Sequence, residues 1–467
     1  MNKKKFPEVK IEEINSGQSV VTELESAIPV FIGYTMMATE NSEQDLLLKP
    51  KKIASMVDFE KFYGKAFVER ISIKVTKNNT GKYDIESLSG NTPSFLLYHS
   101  IRHYFDNGGG ACYVISSGSF NENSTISLYG DVKAKIGKVS GLLPALKQAE
   151  QLDEATLLVI PEAVHLAQND YQILAREMLN LSKSKINCFS IFDLYQANLE
   201  PGKFDLQTNR LLYGNQNLRF GAIYYPFVKT NYPFPVNKDE GNVVVFFQGK
   251  EQQLSELKVS DENLYQFVKA ELNKNFLVLP ASGAIAGLIC KNDRDKGTWK
   301  APANIALSNV TGPLFKLNSS QQEQFQIDTQ NGISVNTIVE FAGKGTLVWG
   351  ARTLAGNDNE WKYIQVQRFI TLVEESVSKL TEWVVFEPND VNTWIKVKSI
   401  ISNYLTQKWR QGALMGSKPE QAFYVKCGLG ETMTNMDISN GNLIIEIGLA
   451  MVRPAEFIII RINHKTQ

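Results

Sequence analysis

Apolar positions along this chain fall into short blocks whose spacing changes from one block to the next. Residues 28–34 are an almost unbroken apolar run of strand length, and 111–115, 155–160, 187–192 and 275–279 repeat the form. Such runs suit strands covered on both faces. Between them the apolar residues recur every three or four positions. Phe95, Leu96, His99, Arg102 and Phe105 follow Thr92-Pro93, which predicts a helix with Thr92 as N-cap and Pro93 in its first turn. Gly108-Gly109-Gly110 stops it. Residues 142–152, 171–181 and 260–272 give three further helices. Strands alternating with helices predict a partly parallel α/β sheet, assigned to an outer region of residues 23–345.

The pattern after that region is different. Residues 357–360 have the form of a capping box, with Trp361, Ile364, Leu372, Val373, Val377 and Leu380 at helical spacing behind it. Trp394, Val397, Ile401, Tyr404 and Leu405 repeat the spacing in a second helix ended by Gly412. Strands follow at 422–427 and 443–452, separated by the turn Asn440-Gly441, and a last strand at 457–462 after Pro454. This predicts an α+β domain at 346–454 with a terminal arm at 455–467. At the other end, residues 1–22 read as a second arm, in which Val9, Ile11 and Ile14 sit among charges. The apolar tail either closes its own sheet or pairs with another subunit, since left unpaired it would template aggregation. An arm at each end of the chain favours another subunit.

Composition narrows the function. Lysine plus arginine number 49 and aspartate plus glutamate 49 in 467 residues, so no global field draws the chain to nucleic acid or anionic lipid. No run approaches the ~18 apolar residues that span a bilayer. The start, Met1-Asn2-Lys3-Lys4-Lys5, is followed by Pro7, Glu8, Lys10, Glu12 and Glu13 where a signal peptide needs apolar residues, so synthesis and assembly in the cytoplasm are expected. Cys112, Cys188, Cys290 and Cys427 lie far apart and read as buried free thiols.

Candidate chemistry is sparse. His99 and His103 stand four apart but lack further ligands, so no metal is expected. Gly108-Gly109-Gly110 follows a helix and precedes a strand, the wrong order for a phosphate cradle. Gly343-Lys344-Gly345-Thr346 lacks the upstream glycine of a nucleotide loop and reads as a turn. Gly283 and Gly287 follow a strand but miss the three-glycine dinucleotide spacing, which favours close backbone packing. Arg352 is expected in a buried ion pair. No catalytic residue and no cofactor are predicted.

Four marks occur in order near the end: Trp349-Gly350-Ala351-Arg352-Thr353-Leu354, then Phe386-Glu387-Pro388-Asn389, then residues 409–416 (WRQGALMG) and 453–460 (RPAEFIII). This order resembles the C-terminal domain of contractile tail sheath proteins. Upstream, residues 281–287 (ASGAIAG), Asp293 with Gly297 and Trp299, Ala301-Pro302-Ala303-Asn304, Asn107-Gly108-Gly109 and Cys112-Tyr113-Val114 also resemble that family. The N-terminal arm reads Pro7-Glu8-Val9-Lys10 where the family has Pro-Gly-Val-Tyr, and residues 70–90 and 230–265 match none of its elements. Those two segments are expected to be surface insertions.

The resemblance implies a non-enzymatic, multi-domain protomer that polymerises helically around an inner tube and contracts to drive the tube through a target envelope. It belongs then to a phage tail, an extracellular injection particle or a secretion system. Its implied partners are copies of itself, the tube protein, and baseplate and terminal cap proteins, with no nucleic acid and no membrane insertion. By the same resemblance Val9, Ile11, Ile14, Phe457, Ile458, Ile459, Ile460 and Ile462 add strands to neighbouring subunits. Lys396, Lys398, Lys408 and Arg410 face the tube, and Trp349, Arg352, Glu387, Pro388, Asn389, Pro454 and Glu456 are structural marks. Two other readings remain: an α/β nucleotide-binding enzyme, supported only by the strand–helix alternation, and a shell or tube protein that polymerises without contracting.

Overall fold

The computed structural model describes residues 25–120, 125–130, 141–452 and 457–465, except 79, 90, 234 and 238. In chain order it opens with β1 (Pro29–Thr35), β2 (Lys51–Ile53), α1 (Met56–Tyr63), β3 (Ile71–Lys77), β4 (Tyr83–Leu88), α2 (Leu97–Asp106) and β5 (Cys112–Ser119). Next come α3 (Leu142–Gln148), β6 (Leu157–Val159), α4 (Gln168–Ser184), β7 (Phe189–Asp193), α5 (Leu206–Leu211), β8 (Gly221–Tyr225) and β9 (Val228–Pro233). The middle continues with β10 (Val243–Phe247), β11 (Lys250–Gln253), α6 (Leu254–Ser260), α7 (Glu262–Lys274), β12 (Phe276–Leu279), α8 (Ser282–Lys296), β13 (Ile305–Ala306) and β14 (Val310–Pro313). Then follow α9 (Ser319–Gln326), β15 (Val335–Phe341), β16 (Gly345–Trp349), α10 (Ile364–Leu380) and α11 (Val391–Arg410). The chain closes with α12 (Pro419–Ala422), β17 (Phe423–Lys426), α13 (Asn435–Ser439), β18 (Asn442–Ala450) and β19 (Phe457–Lys465).

Nine strands form the central sheet in the order β13-β16-β15-β8-β7-β6-β1-β5-β2. From β15 to β5 the neighbours are parallel, as the alternation predicts, and β2, β16 and β13 flank them antiparallel. Within β1, Val30 and Ile32 join one core while Phe31 joins the other. With both faces covered the strand has no polar side, so it shows no alternation.

α2 departs from expectation at its start. It begins at Leu97, and Thr92 does not cap it. Glu162 does: its Oε1 accepts from the Leu96 and Leu97 amides at 3.1 and 3.3 Å, and its Oε2 from the Tyr34 amide at 2.7 Å. Burial pushes this carboxyl up to about 8, against three N–H donors that favour its ionised form. Asp193 does the same for α8, accepting from the Ala281 and Ser282 amides at 2.7 and 3.0 Å. The two helices cross closely because a Cβ at Gly283 or Gly287 would overlap the carbonyl oxygen of Ser100 or Tyr104. The glycine pair is a helix-packing device.

The two segments without a family counterpart build one module. β10 runs parallel to β3, from Val243 opposite Ile71 to Phe247 opposite Val75, in a four-stranded sheet ordered β11-β10-β3-β4. Ile71, Ile73, Val75, Val243 and Val245 pack there with Leu257, Leu264 and Val268 of α6 and α7. The helix predicted over 260–272 is α7, which Asp261 caps through the Leu264 amide at 3.0 Å, and a further short helix, α6, precedes it.

The C-terminal domain packs α10 and α11 against a sheet ordered β17-β18-β19. β16 belongs to the central sheet, so the boundary expected at 346 falls inside that strand, and Val366 is the first residue of the second core. The capping box expected at 357–360 is a turn in which Asp358 accepts from the Glu360 and Trp361 amides, and α10 starts after Tyr363 without a side-chain cap. Its first amide donates to the Ala351 carbonyl at 3.0 Å. β17 and β18 are separated by α13 as well as by the turn at Gly441.

Candidate functional site

Arg368 sits in α10 between Val366 and Ile370, and positions 364, 365, 371 and 372 offer it no acidic partner. Its partner is on α8. Nη1 donates to Asp293 Oδ1 at 3.0 Å and Nη2 to Oδ2 at 2.7 Å, with the two side chains 4% and 3% exposed. Nη2 also donates to the Ser26 carbonyl at 2.8 Å, while Ser26 Oγ donates to Asp293 Oδ2 at 2.7 Å. The two-point fork fixes orientation as well as distance. Around it Trp299 meets Phe369 edge-on at 5.9 Å, and the Arg219 guanidinium lies over Trp361 at 4.1 Å. Asn187 donates to Glu375 Oε2 at 2.9 Å and accepts from Thr371 Oγ1 at 3.2 Å.

The element running from Asp293 to Trp299 is therefore the joint between the central-sheet domain and the C-terminal domain. Gly297 has φ +91°, and a Cβ there would strike the Trp299 ring. Beside the joint a cleft of about 690 Å³ opens between Glu25, Ser26, Gly110, Lys296 and Gln411. Arg368 escaped the sequence analysis, although a lone arginine in an apolar helical stripe without a local acid is itself a signal of a distant partner.

Among the described residues Arg352 forms no ion pair, contrary to expectation. Its guanidinium donates to the Gly356 carbonyl at 3.3 Å, and its amide donates to Asn336 Oδ1 at 2.8 Å. Trp349 ends β16 with its ring against Phe341, 4.7 Å between centroids. Asn389 ties α11 to the sheet, donating to the Asn442 carbonyl at 2.9 Å and accepting from Trp394 Nε1 at 2.7 Å. Glu387 and Pro388 are exposed beside Phe386, which is 82% exposed.

The four basic residues assigned to the tube do not share a surface. Lys408 is buried, its ammonium 5.9 Å from the Trp299 ring centre and 5.7 Å from that of Tyr404. Lys398 turns to Glu431 at 3.4 Å. Lys396, over Trp383 at 4.0 Å, and Arg410 are exposed, on a face shared with Asn392, Ile395, Ser399 and Asn403. A charge on Lys408 was expected at the surface because helical spacing alone does not show that Trp299 covers that side.

The terminal strand pairs at home in the single chain. β19 lies antiparallel to β18 over its whole length, from Asn442 opposite Lys465 to Ala450 opposite Phe457. The assignment of 457–462 to another subunit is thus not what the isolated chain shows: the connection 451–456 is long enough for a hairpin, and β18 offers the buried Leu443, Ile445, Ile447 and Leu449. Among the described residues the strand order nevertheless leaves nine-residue β19 at the sheet's edge. Val9, Ile11, Ile14, Pro454 and Glu456 lie outside the described residues.

His99 and His103 are buried in α2, and burial holds both near 4. All four cysteines are buried and free. Among the described residues no three His, Cys, Asp or Glu side chains gather to hold a metal ion, and no helix is long and apolar enough to cross a membrane.

The frame is a joined pair of domains, one sheet ending in short strands and the other, among the described residues, in the nine-residue β19. Residues 356–465 match the phage tail sheath C-terminal domain family. A tail sheath protein of Vibrio phage KVP40 is 27% identical over 194 residues, covering 38% of this chain and 29% of that protein, so the match spans under a third of the relative's length. The anti-feeding prophage helical sheath in its contracted state superposes on 98% of this chain and 99% of that chain, with TM-score 0.62 and 26% identity. The contracted sheath of the PVC extracellular contractile injection system covers 99% and 98%, with TM-score 0.60 and 27% identity. These matches are likenesses to tail sheath proteins, the family model over residues 356–465 and the two sheath structures over nearly the whole chain.

Proposed function

We propose that the chain is the structural subunit of a contractile sheath: many copies wind around an inner tube, and collapse to a wider, shorter lattice drives the tube through a target envelope. The observation that carries this is superposition over nearly the whole chain, outer domain included, on sheath subunits of two injection particles. Contraction is downhill where each copy buries more surface in the short form than in the long one, and a modest gain per copy multiplies along the helix.

Copies that turn without separating need links, and the edge of the β17-β18-β19 sheet supports them. Strand exchange or addition there supplies backbone hydrogen bonds worth about 1 kcal/mol net each. Residues 1–22 and 455–467 act as the two arms. The exposed face of α11, with Lys396, Arg410 and Ile395, meets the tube, and baseplate and cap proteins close the ends of the polymer. Assembly takes place in the cytoplasm. The module built from 70–90 and 230–265 stands outside these contacts.

Electron microscopy of the expressed chain tests the reading. Long hollow sheaths are expected; discrete globules would favour a soluble enzyme, and narrow tubes or closed shells a polymer that does not contract.

A further inference from the structure

Residues 26, 27 and 28 precede β1 and belong to no helix or strand, yet each is held by a different side chain. Arg368 of α10 donates to the Ser26 carbonyl, Cys290 Sγ of α8 to the Ala27 carbonyl at 3.3 Å, and the Ile28 amide donates to Thr156 Oγ1 at 2.7 Å. Ser26 Oγ adds a fourth tie, to Asp293. β1 needs none of these bonds, because it is already paired on both edges with β5 and β6. A short irregular segment held from both domains is a fixture for whatever chain precedes it.

We infer that Arg368 and Asp293 are positioning residues that fix the point and direction at which the chain N-terminal to Ser26 leaves the molecule. Asp293 alone would tie that segment to the central-sheet domain, and Arg368 alone to the C-terminal domain. As a buried pair gripping Ser26 between them they make the exit common to both. A pull on the N-terminal chain is then shared between α8 and α10 and does not peel β1 from its sheet. The consequence for a sheath rests on the assembly reading: an arm with a fixed exit reaches a neighbour in one direction only. The anchor itself rests on the single chain.

The claim is testable with spin labels at two exposed positions, Glu25→Cys and Gln407→Cys. The four native cysteines are buried and stay unlabelled. Labelled chains are diluted in unlabelled protein, so that distances are intramolecular whether or not the chain polymerises, and the distribution is read by pulsed electron resonance. A single narrow distance is expected for the otherwise native chain. The double substitution Asp293→Leu with Arg368→Met keeps the volume apolar and should broaden it at least twofold. Arg368→Lys keeps the charge but not the two-point fork, should broaden it too, and decides the matter if the apolar pair does not fold. Asp328→Asn, which breaks the separate buried pair with Arg210, should lower stability and leave the width unchanged. A broad distance in the native chain, an unchanged width in folded Arg368→Lys, or equal broadening in Asp328→Asn would overturn the inference.

Discussion

The molecule's two principal sheets finish differently. The central sheet stops at strands of three and two residues, β2 and β13, and both its faces are covered. The C-terminal sheet stops at β19, nine residues long. Short edges offer a passing chain little to pair with, whereas a long one is a template. The first sheet has little edge left to pair, and the proposed links between copies fall on the long edge of the second.

Breaking the open sheet should have the largest effect. Ile458 and Ile460 stand opposite the buried Leu449 and Ile447 in register, so replacing both with Asp should abolish the polymer while circular dichroism still reports a folded body. Sheaths of normal length from this variant would count against the comparison.

Next comes the joint between the two regions. Asp293→Asn leaves the Arg368 guanidinium buried without its counter-charge and should cost about 3–5 kcal/mol in chemical denaturation. A loss under about 1 kcal/mol would mean that the domains are held mainly by apolar packing.

Two tests address the stiffness of the body. His99 and His103 are held near 4 by burial, below their ordinary value of 6.5, so unfolding takes up protons between those values. Stability should therefore fall as pH drops from 6.5 to 4, by up to about 3 kcal/mol per histidine, and His99→Leu should remove its share of that slope in melts across the range. Gly287→Ala pushes a methyl against the Tyr104 carbonyl and should cost about 1–3 kcal/mol, read as a lower denaturation midpoint. Gly81, in the β3–β4 turn, has open space around its Cα and lies far from both sheets' edges. Deleting residues 77–81 should thus change neither sheath length nor the melting temperature by more than a degree or two.

The sequence made the body's elements legible because they are short, apolar and repetitive. β1 and β7 lie within two residues of where the apolar runs put them, and β5 starts one residue from its run but continues four residues past its end. What it hid depends on distant partners. Thr92 looks like a cap until Glu162, from the far end of β6, takes the amides of α2. Lys408 looks like a surface charge until Trp299 is folded onto it. Segments 70–90 and 230–265 look like separate surface insertions because parallel pairing of β3 with β10 leaves no local trace. The joint was half visible: Asp293, Gly297 and Trp299 stood out as a motif, but Arg368 has no neighbour in sequence to betray its role.

The most direct test is a map of the assembled polymer, by cryo-electron microscopy of the expressed chain, clear enough to trace β19. The account expects a hollow helical sheath in which the chain running through 455–467 lies in the sheet of a neighbouring subunit, with β18 of its own chain paired to a strand from another copy. A polymer in which every β19 stays on its own β18 with no strand added beyond it, or a chain that remains monomeric, would contradict it.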